Sequence, residues 1–471
     1  MVNAGWENQR MRHFDLCVIG SGSGNSIIDE NFDDQEVALI DKGERFGGTC
    51  LNTGCIPTKM FVYPAELAVS ADQAEKVGVS MGAAKADWPA IRDRIFGRID
   101  PISEGGEEWR RSNANVTLYR EPAYFTGAKQ LLVGDETITA DRFVIAAGSR
   151  PQVPVIKGMD DPRVAERVHT SEDVMRLDQL PKSLVILGGG YIAAEFAHVF
   201  SAYGTKVTVL QRSDVMLRRE DADISARFTD LLAKRVNLRL KQRVVGLEFT
   251  ERGTVMVESV DPDGIHYDFE GERVLVAMGR IPNGDLLNLE AAGIATHADG
   301  RVVVDEHQQT TVKGIFALGD VSAEQQLKHV ANHEARVVQH NLLHPRRMMS
   351  ADHRFVPHAV FSDPQVASVG LTEKQAEQAR RRFVTASQDY GSVAYGWAME
   401  DTEHFVKLIA DPRRKRLLGA HIVGPQATVL IQPLIQAMSF DLDVTSMARG
   451  QYWIHPALTE VVENALLALD L

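Results

Sequence analysis

The sequence predicts an α/β chain made of two parallel-sheet domains of one kind and a C-terminal α+β domain. Three observations predict it. A short apolar run, Phe14 to Ile19, leads into Gly20-Ser21-Gly22-Ser23-Gly24, and a second run, Glu36 to Ile40, ends at Asp41. The same order recurs at Ser183 to Leu187, Gly188-Gly189-Gly190-Tyr191-Ile192-Ala193 and Lys206 to Leu210. From about Asp352 the pattern changes to strand-like runs such as Val366 to Gly370 and Phe405 to Ile409, then to helices over Thr428 to Phe440 and Pro456 to Leu469.

Each repeat reads as strand, tight turn, helix, strand. Glycines let the chain turn sharply and let backbone N–H groups approach a pyrophosphate at a helix N-terminus, while an acid about 20 residues on, here Asp41, can hold ribose hydroxyls. One such turn could be a plain structural loop. Two complete ones imply two Rossmann-like dinucleotide-binding domains, and hence two cofactor sites in one chain. Asn25 stands where Gly or Ala is usual, so the first helix is expected to pack less closely on its strand. Val144 to Pro151 and Val274 to Asn283 are alternating, Gly-terminated segments that each look like the last strand of such a domain. Thr311 to Asp320 reads as a strand with an acid at its tip, suited to a cofactor hydroxyl; a plain loop aspartate is the simpler alternative.

A chain of 471 residues holds about three domains. No stretch approaches the ~20 consecutive apolar residues that would span a bilayer, so a membrane role has no support. The 64 acidic and 51 basic residues give a net charge of −13, which repels phosphate backbones, and no Lys/Arg stripe interleaved with aromatics offsets it. Nucleic acid is therefore not expected as a partner. Met1 to Arg10 is polar and reads as a disordered extension, and a cytoplasmic location is expected. Three cysteines cannot build a secreted disulfide framework. Cys17, inside the first strand, reads as a small core residue. Cys50 and Cys55 lie close together after a nucleotide-binding pattern, and in a reducing compartment that suggests redox chemistry. No metal site is expected.

The two cysteines pose a geometric question. Five residues of ideal helix climb ~7.5 Å, beyond the Cα separation of ~7 Å that a disulfide tolerates. The turn must therefore be distorted for the two to bridge. Gly54 supplies backbone freedom, and Pro57 can enter the following helix. Two thiols that never pair remain the alternative.

The string GGTCLNTGCIPTK, Gly47 to Lys59, resembles the redox motif of the flavin-dependent pyridine nucleotide-disulfide oxidoreductases of the glutathione reductase type. The order of motifs is similar to that family from residue 13 nearly to the C-terminus. The resemblance implies FAD and NADPH as cofactors and a small-molecule disulfide as substrate. It implies FAD contacts from Gly20, Gly22, Asp41, Thr49, Gly148 and Asp320, with Cys55 facing the flavin ring and Cys50 attacking the substrate disulfide. Lys59 and Glu195 match the family's Lys/Glu pair, in which a cation favours the reduced, anionic flavin and a carboxylate fixes that cation. Gly188, Gly190 and Gly279 fall on the nicotinamide-nucleotide side, and Tyr191 on the residue that covers the nicotinamide pocket.

His455-Pro-Ala-Leu-Thr-Glu460 resembles the family's acid/base pair. Thiol exchange needs a thiolate to attack and an acid to protonate the thiol that leaves; histidine titrates in the right range, and Glu460 would orient it. In the family this histidine reaches the partner subunit's cysteines, which implies a homodimer. The resemblance also implies an FAD-binding domain over 12–150 that resumes over 281–350, an NADPH-binding domain over 151–280 and an interface (dimerisation) domain over 351–471. Taken alone, Glu195 would be a solvated helix glutamate, Tyr191 a packing aromatic and His455 a satisfied loop histidine.

NAD enzymes generally end the second strand of the nucleotide domain in an acid, whereas NADP enzymes use arginines for the 2′-phosphate. Here Gln211 takes the acid's place, with Arg212 and Arg218 following, which favours NADPH and argues against dihydrolipoamide dehydrogenase. Glutathione reductases carry an arginine where this chain has Glu30, preceded by Asp29. A carboxylate there would repel an anionic disulfide and could accept hydrogen bonds from a sugar, which suits an uncharged glycoside disulfide. Strings outside the redox core narrow the resemblance to the branch of the family with such a substrate: TKMFVYPAE from Thr58, FGRIDPI from Phe96, KHVANHEARVVQHNL from Lys328, DYGSVAYGWAMEDT from Asp389 and ARGQYWIHPAL from Ala448. A mercuric reductase would need a C-terminal cysteine pair that this chain lacks. A flavoprotein that only carries electrons within a larger complex would leave the catalytic set unused.

Overall fold

The computed structural model describes residues 11–82 and 84–471, so the expectation for Met1 to Arg10 lies outside the described residues. The chain divides into two compact units. The first takes in the described residues up to Pro57, then Phe96–Arg150 and Arg280–His353; the second takes in Thr58–Ile95, Pro151–Gly279 and Arg354–Leu471.

In the first unit five strands run parallel in the order Val116–Tyr119, Val37–Ile40, Arg12–Ile19, Glu136–Ile145, Ile315–Ala317. Strands buried on both faces must be apolar throughout, and all four residues of Val37–Ile40 are buried. Alternation along Arg12–Ile19 sends Leu16 and Val18 into one core and Cys17 and Ile19 into another. Cys17 is thus a core residue, and burial pushes its thiol pKa well up. The long strand Glu136–Ile145 branches: its first half pairs antiparallel with Gln130–Val133, and its last three residues take Ile315–Ala317.

The helix expected after the first glycine turn does not form. Two short 3-10 turns, Gly24–Ile27 and Glu30–Phe32, stand in its place. Asn, Ser and Asp side chains compete with helical hydrogen bonds, and Asp29 does so directly, accepting from the Asn31 N–H at 3.0 Å. Asn25 does more than loosen packing. Its Oδ1 accepts from Arg110 Nε at 2.6 Å, while Arg110 Nη2 reaches the carbonyls of Asn25 and Ile28 at 2.7 Å. Arg110 is itself buried, and burial lowers its pKa to about 10.

The second unit holds a parallel sheet in the order Asn237–Arg239, Lys206–Leu210, Ser183–Leu187, Arg273–Val276, Val168–His169. The helix Tyr191–Ala202 follows the second glycine turn as expected. A three-stranded antiparallel sheet of Arg243–Phe249, Val255–Val260 and His266–Gly271 is also present. The C-terminal part is an antiparallel sheet, His358–Val360, Val366–Gly370, Arg416–Val423, Phe405–Asp411, Val384–Asp389, with helices packed on it. The helix expected over Thr428 to Phe440 is two pieces, Ala427–Leu430 and Gln432–Ser439, because Pro433 can start a helix but cannot donate within one. The last helix begins only at Glu460. The strands expected over Val144 to Pro151 and Val274 to Asn283 stop at Ile145 and Val276 and resume beyond their glycines at Ser149 and Arg280. No helix among the described residues is long and apolar enough to cross a membrane.

Candidate active site

In the first unit the glycine turn is built for backbone approach. Gly20 has φ +114°, and a Cβ there would lie 2.2 Å from the carbonyl oxygen of Ala146. A Cβ on Gly48 would lie 2.7 Å from Gly22 Cα, so the turn and the start of the cysteine segment meet backbone to backbone. Asp41 ties them together. Its Oδ2 accepts from the Ser21 N–H at 3.1 Å and from the Ser21 hydroxyl, which in turn accepts from the Gly47 N–H at 2.7 Å. Its Oδ1 accepts from the Gly43 N–H at 2.7 Å. Burial raises the Asp41 pKa, against the pull of the Gly43 N–H and Arg120. A carboxylate has about four acceptor sites and three are taken, so one remains for a ribose hydroxyl.

The strand expected over Thr311 to Asp320 is only Ile315–Ala317, and Asp320 lies beyond it in the 3-10 turn Gly319–Val321, within a second set of bonds. Ser149 donates to Asp320 Oδ2 at 2.6 Å, and Arg280 holds Ser149 through both its hydroxyl and its carbonyl at 2.7 Å. The N–H of Gly319 donates to Glu334 Oε2 at 2.7 Å, and His353 meets the other Glu334 oxygen at 2.9 Å. Gly148 has φ +67° with open space where a Cβ would project.

The helix Gly48–Asn52 carries Thr49 and Cys50, and a second helix, Cys55–Lys76, begins at Cys55. Thr53 leaves the first helix at φ −142° and ψ 7°, its N–H donating to Thr49 O at 3.0 Å. The break therefore falls between the cysteines, where an unbroken helix would hold them too far apart to bridge. Cys50 is half-buried and Cys55 exposed. The buried Asn52 pins the segment, donating to the carbonyls of Phe46 and Gly48 at 2.9 and 3.1 Å.

In the second unit Lys59 Nζ donates to both oxygens of the buried Glu195, at 2.7 and 2.9 Å. The N–H of Phe361 donates to Glu195 Oε1 at 3.0 Å, and Lys59 Nζ stands 4.5 Å from the centre of the Phe361 ring. His455 Nδ1 and Glu460 Oε1 are 2.7 Å apart, and the other Glu460 oxygen accepts from the Ala457 N–H at 3.2 Å. The His455 bond holds the Glu460 carboxyl below its usual pKa. The His455 side chain is 73% exposed, so its other ring nitrogen is accessible.

The second glycine turn fits a nucleotide pyrophosphate. Gly188 has φ +129° with a Cβ position 2.3 Å from Ala277 O, and Gly189 lies against the Gln211 side chain. Gly190, at the head of the 12-residue helix that Tyr191 starts, has open space at its Cβ position, no side-chain cap and no acid in the first turn. The positive end of the helix dipole favours an anion there. Tyr191 is exposed, and Gly279 has φ +125°. The buried Gln211 brings no charge to the strand end, and Arg212 and Arg218 are exposed. The N–H of Leu217 donates to Gly189 O at 2.8 Å, which sets Arg218 beside the glycine turn.

Ser21, Ser149, Arg280, Glu334 and Phe361 were not legible from the motifs. Only Glu334 left a signal: it interrupts the apolar stripe of the helix Lys328–Leu343, which buries Val330, Ala331, Val337 and Val338 on the same face.

Two nucleotide cradles, a cysteine pair on a broken helix and a histidine–carboxylate pair define a dinucleotide-dependent disulfide reductase. The chain belongs to the pyridine nucleotide-disulphide oxidoreductases: that family's model matches residues 14–335, and its dimerisation domain matches residues 356–466. It is a flavin-dependent disulfide reductase. It is 51% identical to the mycothione reductase of Mycobacterium tuberculosis over 98% of this chain and 100% of that one. It is 32% identical to a glutathione reductase of Burkholderia cepacia over 95% of this chain and 97% of that one. Among solved structures it is similar to the HOCl-induced flavoprotein disulfide reductase of Escherichia coli, with a TM-score of 0.84 and 28% identity over 97% of this chain and 99% of that one.

Proposed function

We propose that this chain reduces mycothione, the disulfide of mycothiol, at the expense of NADPH, and works as a cytoplasmic homodimer that maintains thiol redox balance. The carrying observation is the 51% identity to a mycothione reductase along almost the whole chain, because the redox motifs alone are common to reductases of other disulfides. Asp29 and Glu30, both exposed, support an uncharged substrate over an anionic one.

FAD, held by Gly20, Gly22, Asp41, Thr49, Gly148 and Asp320, and NADPH, when bound, supply the two electrons that reduce the Cys50–Cys55 disulfide. Gly188, Gly190, Tyr191 and Gly279 line the NADPH site, and Arg212 and Arg218 take the 2′-phosphate. Lys59, fixed by Glu195, places a positive charge for the flavin site. The Cys50 thiolate attacks one sulfur of mycothione, the substrate S–S bond breaks, and the first mycothiol leaves with a proton from His455. Cys55 then attacks the mixed disulfide at Cys50, which releases the second mycothiol, protonated in turn, and restores the Cys50–Cys55 bond. Glu460 occupies His455 Nδ1 and leaves the other nitrogen for the proton transfer. In the dimer His455 serves the cysteines of the partner subunit. The boundaries of the compact units after Arg150, Gly279 and His353 support the limits near 150, 280 and 350 of an FAD domain over 12–150 and 281–350, an NADPH domain over 151–280 and an interface domain over 351–471, although residues 58–95 group with the last two.

Cys50→Ser tests the cycle. The variant should keep its flavin and lose mycothione turnover by about a thousandfold or more, because the covalent step itself is removed. Full turnover in Cys50→Ser would overturn the proposal.

A further inference from the structure

A charge network centred on the buried Lys407, Asp221 and Glu220 side chains lies where residues 220–223 meet the C-terminal sheet of the second unit. Lys407, on the strand Phe405–Asp411 with its side chain 4% exposed, donates through Nζ to Asp221 Oδ1 at 2.8 Å, Asp223 Oδ2 at 2.6 Å and Glu373 Oε2 at 2.6 Å. Asp221 also accepts from the N–H of Glu373 at 2.9 Å and caps the helix Ala222–Ala233. One residue earlier, Glu220 meets His358 Nε2 at 2.7 Å and accepts from the Ser368 hydroxyl at 2.6 Å, and Ser368 lies 3.1 Å from His421 Nδ1.

The three carboxylates around Lys407 are spaced as cation ligands would be, but the ammonium already stands among them. The network is a brace. Buried ion pairs add little stability over a well-packed apolar core, so fixing position is the more telling use. What it fixes is the segment on its N-terminal side. Leu217 is in left-handed backbone at φ +52°; its N–H donates to Gly189 O at 2.8 Å, and its carbonyl accepts from Ser225 Oγ at 2.9 Å. The N–H of Met216 donates to Thr229 Oγ1 at 2.9 Å. Arg218 therefore stands between the glycine turn and the brace, exposed, on backbone held from both ends.

We propose that Glu220 and Asp221 are positioning residues for NADPH: braced by His358, Ser368 and Lys407 of the C-terminal sheet, they fix the backbone that presents Arg218 to the 2′-phosphate. This rests on Arg218 as the phosphate ligand, proposed above. Ordering a loop on binding subtracts from affinity, so a loop ordered beforehand binds more tightly. NADH has no 2′-phosphate and gains nothing from the brace.

The test is steady-state kinetics of the full-length holoenzyme carrying Lys407→Met or His358→Ala. The KM for NADPH should rise roughly tenfold, with kcat and the KM for NADH unchanged, and Lys407→Arg should restore it. An unchanged KM for NADPH, or an equal loss with both nucleotides, would overturn the inference. His358 is partly exposed, so if Lys407→Met fails to fold His358→Ala decides alone. Arg218→Ala separates the two proposals. If it leaves the KM for NADPH unchanged, the assignment of Arg218 fails; if it raises that KM while the brace variants do not, only the brace fails.

Discussion

Glu220 is a carboxylate withdrawn from water, and its partners decide its charge. Burial pushes its pKa up, but the hydrogen bond and charge of His358, with Ser368 and His421, outweigh that and hold it below the usual value. Burial likewise pushes His358 down, and the bond and charge of Glu220 outweigh it and hold His358 above its ordinary 6.5. Glu220 therefore contributes stability that is full above the ordinary glutamate value of about 4.3 and is lost as pH falls through its lowered pKa. His358 contributes stability that is full below about 6.5 and is lost as pH rises through its raised pKa. The melting-temperature gap between the wild-type protein and His358→Ala should be widest between about pH 4.5 and 6.5 and narrow on both sides. A gap constant from acid to alkaline pH would contradict the coupling. Pairs of this kind were hard to read in the sequence. Lys59 and Glu195 lie 136 residues apart and Glu220 and His358 lie 138 apart. Family motifs joined the first pair; nothing local joined the second. Ser149 and Arg280 were hidden for the same reason, since their roles come from tertiary contacts alone, whereas Glu334 showed only as a charge in an apolar helix stripe.

Elements were legible where one physical demand dominated. Ser183–Leu187, Lys206–Leu210 and Val366–Gly370 are strands over the residues expected, because short apolar runs rich in branched side chains suit a sheet buried on both faces or backed by helices. Helices were harder to place. Asn25, Ser26, Asp29 and Asn31 dissolve the first expected helix into 3-10 turns, and Pro433 divides the one over Thr428 to Phe440. The glycine turns were legible as a pattern, whereas their partner was not: Gly22 packs on Gly48, the residue that opens the cysteine helix. Gly48→Ala should therefore disturb the flavin site and the cysteine segment together. With φ +75° and a Cβ 2.7 Å from Gly22 Cα, the variant should lose about 1–3 kcal/mol of stability and purify with less flavin absorbance per protein. Wild-type flavin content with unchanged melting would contradict that packing.

At the scale of the whole molecule the chemistry is spread along the chain. The cysteines and the Asp41 and Asp320 sites belong to one compact unit, and the Lys59–Glu195 pair, the second glycine turn and the His455–Glu460 pair belong to the other. Two repeats of one motif made the two nucleotide-binding folds legible, but the division itself was not: the unit boundary at Thr58 puts Lys59 outside the unit that holds the cysteines, and His455 shares a unit with the second glycine turn. What the whole chain discriminates is its substrate and its nucleotide. The most direct test is NADPH oxidation by the purified yellow protein with mycothione, glutathione disulfide and lipoamide offered separately, repeated with NADH for the best substrate. The expected result is a kcat/KM for mycothione with NADPH at least about a hundredfold above every other combination. A preference for lipoamide, glutathione disulfide or NADH, or no turnover with any of the three disulfides, would contradict it.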